Sequence, residues 1–292
     1  MPLVPLTGLL ADALAGGYAV GYFEAWDGYS LEAVLEAAEA EHAPVILGFG
    51  CLLVDQDWLD AGGIETLGCL GRGAAERSRV PVSLLLNEAH TLEHALRGVA
   101  AGFNAVMLCS GEVDTVSRLV REAHARGVAV EGELGTLPDA VGDEIDASRA
   151  SLTDPARAAA FVEATGVDCL AVSFGNVHVL EGRAAAVDLE RLDAVHGRVG
   201  VPLVVHGGTS FPAGAVEGAI ARGVAKFNVG TALKRAFLDG LTAAVASTAG
   251  DASPHDVLGS HGPADLLGAA KPRLVEVVRE LIRLYGGSGR AA

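Results

Sequence analysis

Two histidines and several carboxylates, far apart along the chain, carry the chemistry this sequence offers. His178 closes the run C-L-A-V-S-F-G-N-V-H, and His206 closes P-L-V-V-H before a glycine pair. Glu24 follows Y-A-V-G-Y-F, Glu88 follows V-S-L-L-L-N, and Glu131 with Glu133 sit in A-V-E-G-E-L. Asn87, Cys109 and Asn228 hold similar places at the ends of apolar runs. Imidazoles and carboxylates that converge in one cleft make a donor set for a divalent ion such as zinc, manganese, iron(II) or cobalt. Singly, each histidine reads as a structural residue; as a set they read as a site.

The segment after His206, G-G-T-S-F-P, is a glycine turn leading into a helix. Such a turn lets backbone N–H groups approach an anion. The run K-F-N-V-G-T at 226–231 repeats the arrangement. Gly207, Gly208, Thr209 and Thr231 are therefore candidate phosphate-binding residues, with plain tight turns as the alternative.

These residues need elements to bring them together. Eight apolar runs recur at 18–23, 44–49, 80–86, 105–109, 129–134, 169–174, 202–206 and 225–229. Most are continuous rather than alternating, as expected of parallel strands buried on both faces. Helical stretches rich in Ala, Leu, Glu and Arg separate them, for example 31–41, 91–101, 113–126, 154–165 and 232–246. This alternation predicts one (β/α)8 TIM barrel spanning 1–292, with an open doubly wound sheet as the weaker option. Polar residues at the C-terminal ends of barrel strands then face a common mouth. The polar segment 137–153 reads as a long loop over that mouth. The amphipathic stretch 271–285 reads as a closing helix.

Half of the residues are hydrophobic and the formal net charge is −16. An acidic chain has no electrostatic case for nucleic-acid or anionic-membrane binding. Its four cysteines form no C-x-x-C pair, which favours a reduced, cytoplasmic setting. No apolar run is long enough to span a bilayer.

Several long motifs occur in a telling order: E-G-E-L-G-T at 131–136, L-T-D-P at 152–155, T-G-V-D-C-L-A-V-S-F-G-N-V-H at 165–178, V-P-L-V-V-H-G-G-T-S-F-P, and K-F-N-V-G-T-A-L-K at 226–234. Through them nearly the whole chain resembles the class II fructose- and tagatose-bisphosphate aldolases. The resemblance implies a zinc ion on three histidines that polarises a ketose phosphate carbonyl and stabilises an enediolate. His178 and His206 match two of those ligands, and Glu133 matches a glutamate near the metal. Asn228 and Thr231 match contacts to the ketose and its phosphate, and Gly207, Gly208 and Thr209 match the phosphate turn. The resemblance also implies a symmetric homodimer or homotetramer.

The departures from that family are chemically pointed. Its H-L-D-H-G is here Leu85-Leu86-Asn87-Glu88-Ala89, so an amide replaces the proton-handling aspartate and Glu88 replaces the first zinc histidine. An amide exchanges no proton near neutral pH, so Asn87 cannot take the aspartate's role. Glu88 still offers a ligand atom, giving a set of two histidines and one carboxylate. Glu24 replaces an asparagine, Cys109 an aspartate, Val179 a glycine and Ala232 an acidic residue. Carboxylates gained as well as lost point to a refitted site. His90 is a candidate ligand or base, or an ordinary helix-entry residue. Cys109 is a candidate thiolate, or an inert buried cysteine. Glu144, then Asp143, are candidate general bases on the polar loop. The expectation is a divalent-metal carbon–carbon lyase for a phosphorylated or anionic ketose, with a phosphorylated ketose or aldehyde as its small-molecule partner. An isomerase or epimerase using the same enediolate, or a non-catalytic paralogue, are the alternatives.

Overall fold

The eight apolar runs fold as parallel strands of one closed barrel, as their pattern predicts. In the computed structural model, residues 3–141, 144–146, 151–178 and 180–291 are described. The barrel strands are β1 (Val20–Glu24), β2 (Val45–Gly50), β3 (Val82–Ala89), β4 (Ala105–Leu108) and β5 (Ala129–Leu134). After them come β8 (Cys169–Val172), β9 (Leu203–Val205) and β10 (Val224–Val229). Between β5 and β8, β6 (Asp139–Val141) and β7 (Glu144–Asp146) pair as a small antiparallel hairpin. Hydrogen bonds close the barrel in the order β1-β10-β9-β8-β5-β4-β3-β2. Helices between the strands cover the outside, and an apolar layer of Val, Leu, Ala and Phe fills the space between them.

The inside of the barrel holds a second, smaller core. A helix at Leu6–Gly16, which the sequence pattern did not single out, buries Leu6, Leu9, Leu10 and Ala13 against it. The Val4 N–H donates to Val82 O, and the Asn104 amide donates to Val4 O. Both contacts lie where strands begin, so this segment stoppers the end of the barrel opposite the mouth. Further up, small residues such as Ala105, Ala129, Ala171 and Ala225 line the interior. That small lining leaves room for Glu131 and Lys226, both buried.

The hairpin falls in the polar segment expected to lie over the mouth. Glu144 is in its second strand; Asp143 and Val179 lie outside the described residues. The closing helix runs Leu266–Leu284, starting ahead of 271. Asp265 caps the helix by accepting from Leu267 N and Gly268 N, which leaves Pro272 inside it. No helix among the described residues is long and apolar enough to cross a membrane.

Glu41 fastens this last helix to the body. Its carboxylate accepts from Arg279 Nε at 2.7 Å, Arg283 Nη2 at 2.6 Å and Ser288 Oγ at 2.8 Å. The hydrogen bond from Arg283 is the largest influence and, with those from Arg279 and Ser288, holds the carboxyl at about 2 against the opposing effect of burial. A depressed carboxyl stabilises the fold above its unfolded value, and the effect is lost as pH falls toward 2. Glu41→Gln should therefore cost about 1 kcal/mol at neutral pH, in the range of partly exposed ion pairs. Thermal melts of both proteins should converge as the pH approaches 2; an equal gap at pH 7 and pH 2 would show that the ion pairs contribute nothing.

Candidate metal centre and anion site

A local irregularity in β3 aims the first donor. Pairing with β4 runs Leu86↔Val106 and then Ala89↔Leu108, so β3 carries one extra residue over that step. Bulges of this kind re-aim side chains beside active sites. Glu88 takes up the distortion with φ of 56°, a left-handed conformation that a glutamate adopts at a cost. Asn87 stays buried and faces the same cavity.

His206 follows directly on β9, and its ring is buried. His178 sits well past β8, in the loop, where its N–H donates to Pro138 O at 2.9 Å. Asn176, buried and not anticipated, ties the two regions together. Its amide donates to His206 O at 2.9 Å and Val172 O at 3.2 Å, while its oxygen accepts from Phe174 N.

One ligand atom from each of Glu88, His178 and His206 lies within 4.8 Å of the others. His206 Nδ1 is 3.2 Å from Glu88 Oε1, and His178 Nε2 is 3.9 Å from the same oxygen. The other face of the His206 ring meets Glu131, whose Oε1 lies 2.9 Å from Nε2. Glu131 Oε2 in turn accepts from Lys226 Nζ at 2.5 Å. Burial opposes the charge on Glu131, but Lys226 and His206 outweigh it and hold the carboxyl at about 2. Burial likewise opposes a charged His206, yet its two carboxylate neighbours raise it to about 10. The two carboxylates thus favour the protonated ring wherever no cation takes its place beside Nδ1.

That environment fits a divalent ion. Two imidazoles and a carboxylate are a donor set that zinc and its neighbours accept. Glu88, His178 and His206 would hold such an ion, and metal binding commonly displaces a proton from a ligating histidine.

The three residues stand between two lobes of the mouth, which share Glu88, His178 and Leu52. The first lobe, about 290 Å³, is lined by Gly207, Thr209, Asn228, Gly230 and Thr231, as well as Asn87 and Glu24. Gly207 has φ of 73°, and a Cβ there would strike the Val177 carbonyl. Gly208 packs against Asn228 O. Thr209 Oγ1 accepts from Ala232 N at 3.1 Å, joining the turn to the helix Thr231–Ser247. Its N-cap, Gly230, offers no side chain, and Gly230 and Thr231 line the lobe, so the positive end of the helix faces that space.

Other candidates fall differently. Glu24 pairs with Lys234 at 2.6 Å, and Arg235 pairs with Glu181 at 2.9 Å on the same rim. Burial raises the Glu24 carboxyl, with Lys234 opposing. His90 is exposed, and its Nε2 lies 3.0 Å from Cys51 O, apart from the three clustered donors. Cys109 and Glu133 line the second lobe, about 450 Å³. Burial pushes the Cys109 thiol up, away from a thiolate. Burial also lifts Glu133, to about 7, with His206 opposing. The side chain of Glu144 lies outside the described residues, as does Asp143 altogether. Lys226 and Lys234 were not among the sequence candidates, although a lysine inside the apolar run V-A-K-F-N-V was a visible signal.

Comparison with known proteins finds a single family. The family model for "Fructose-bisphosphate aldolase class-II" matches residues 4–290. The fructose-bisphosphate aldolase of Geobacillus stearothermophilus is 32% identical over 304 residues, covering both chains completely. That of Staphylococcus aureus strain N315 is 31% identical over 303 residues, again over both full lengths. Among solved structures, the YdjI aldolase of Escherichia coli K12 superposes with a TM-score of 0.80 at 27% identity. The match covers 99% of this chain and 100% of the other.

Because a bound ion must displace the His206 proton, zinc should bind more weakly as pH falls below about 10, roughly tenfold per unit in that range. Titration in weakly buffered solution should show protons released on binding; affinity independent of pH would exclude His206 Nδ1 as a ligand. His178→Ala and His206→Ala should each lose far more affinity than His90→Ala.

Proposed function

The chain belongs to the class II fructose-bisphosphate aldolase family, and from that premise we propose a divalent-metal carbon–carbon lyase for a phosphorylated or anionic ketose, with a refitted site. The observation that carries this reading is the Glu88–His178–His206 cluster, opening on the lobe that holds the 207–209 turn. A divalent ion held by these three residues supplies Lewis-acid polarisation of the ketose carbonyl.

The chain's own residues do the remaining work. The turn at Gly207, Gly208 and Thr209, with the helix end at Thr231, holds the phosphate through backbone N–H groups. Asn228 and Asn87, whose amides lie 3.4 Å apart, orient the ketose hydroxyls beside it. Glu144, or Asp143 next to it, is the proposed base for the proton beside the carbonyl. Glu133, lifted to about 7, can hold or release a proton near neutrality in the second lobe.

Asn87 weighs on the fate of the substrate. Cleavage needs a base on the hydroxyl of the aldehyde half, and an amide cannot serve. Glu88 also brings negative charge to the ion, which weakens its pull on a carbonyl oxygen. Asn87 therefore favours one second reading, an isomerase or epimerase that moves the proton without breaking the bond. Solvent deuterium entering the ketose without an aldehyde acceptor, and with no cleavage product, would select it.

Fructose 1,6-bisphosphate cleavage by the metal-loaded protein should be very weak, since acid–base groups contribute about 10²–10⁴-fold. A coupled assay beside the Asn87→Asp, Glu88→His double variant checks this. The expected result is a nearly inactive wild type and a partly active double variant. Ordinary aldolase rates in the wild type would show that another residue has taken over the missing base's task.

A further inference from the structure

Lys226 and Glu131 line neither lobe of the mouth. Both side chains are fully buried inside the barrel. Glu131 divides its two oxygens: Oε1 faces His206 Nε2 at 2.9 Å, and Oε2 takes Lys226 Nζ at 2.5 Å. Cys169 Sγ approaches Oε2 at 3.8 Å, and Lys226 Nζ lies 5.2 Å from the centre of the Tyr22 ring. The three residues come from β5, β9 and β10 or the residue just after, so the contact exists only in the closed barrel.

Stability alone does not account for this arrangement. Desolvating two charges costs about as much as their attraction returns, and well-packed apolar residues often do as well or better. Orientation accounts for it. A carboxylate is acceptor-only, so Glu131 makes Nε2 the donor, and the Asn228 amide, 3.0 Å from the same nitrogen, satisfies it with its oxygen turned toward the ring. Nδ1, which faces Glu88, is then the nitrogen left for a cation to take. Lys226 occupies the second oxygen and balances the charge, which keeps the carboxylate from turning toward the mouth.

We propose that Glu131 and Lys226 are positioning residues that fix the proton of His206 on Nε2 and present Nδ1 to the ion held with Glu88 and His178. This rests on the metal-centre reading above. Outer carboxylates on ligating histidines typically affect metal affinity roughly 10–100-fold.

The test is the Glu131→Leu, Lys226→Met double variant, which removes the carboxylate acceptor at His206 Nε2 together with the lysine that balances it. Zinc affinity is measured by competition with a chromophoric chelator, after a thermal melt shows the variant folded. Long-range nitrogen–proton NMR of the metal-free proteins, assigned with His206→Ala, reads the Nε2 proton directly. Affinity should fall roughly 10–100-fold, and the downfield, slowly exchanging Nε2 proton of the wild type should be lost. Equal zinc affinity in the folded variant, or an unaltered Nε2 proton, would overturn the proposal. If the wild type binds no zinc, the metal-centre reading fails, and the NMR alone decides: loss of the Nε2 signal supports the positioning role and its persistence refutes it.

Discussion

His206 lies between two carboxylates, and the organisation of the mouth depends on how that imidazole is shared. Glu131 holds one nitrogen from inside the barrel and Glu88 faces the other from the mouth. A buried ring flanked in this way needs positive charge on both sides: a proton toward Glu131, and a proton or an ion toward Glu88. Removing either carboxylate would leave the remaining groups with unmatched charge in a medium that solvates it poorly. The small residues lining the barrel interior are what make room for this charged stack.

The same requirement reaches into the backbone. Glu88 can face His206 only because β3 takes an extra residue and accepts a left-handed φ there. Asn176 bonds to the His206 carbonyl from the loop that carries His178, which couples the placement of the two imidazoles. The metal donors are thus set by a bulge, a strand end and a buried amide, elements whose positions are fixed by packing rather than by the ligands themselves.

An acidic protein with a proposed anion site presents no contradiction. The positive potential at the 207–209 turn comes from peptide N–H groups and a helix end, not from net charge. The two cationic side chains nearest that lobe, Lys234 and Arg235, are held by Glu24 and Glu181 on the rim. Backbone dipoles therefore leave the chain free to be acidic elsewhere.

The sequence by itself determined the barrel, because eight apolar runs in alternation with amphipathic helices leave few other ways to bury both faces of parallel strands. It also placed Glu88, His206, Asn87 and Asn228 at one mouth, since strand ends share a side in that fold. The stopper helix Leu6–Gly16 escaped notice because its apolar residues serve an interior that exists only once the barrel closes. The roles of Glu131 and Lys226 were hidden for the same reason. Glu131 and Glu133 share a face by strand alternation, yet one meets His206 and Lys226 deep inside and the other meets the second lobe. His90, two residues beyond Glu88, turned instead to the Cys51 carbonyl. Spacing along a chain fixes which face a side chain takes; only the closed barrel decides how deep it sits and which charge stands opposite.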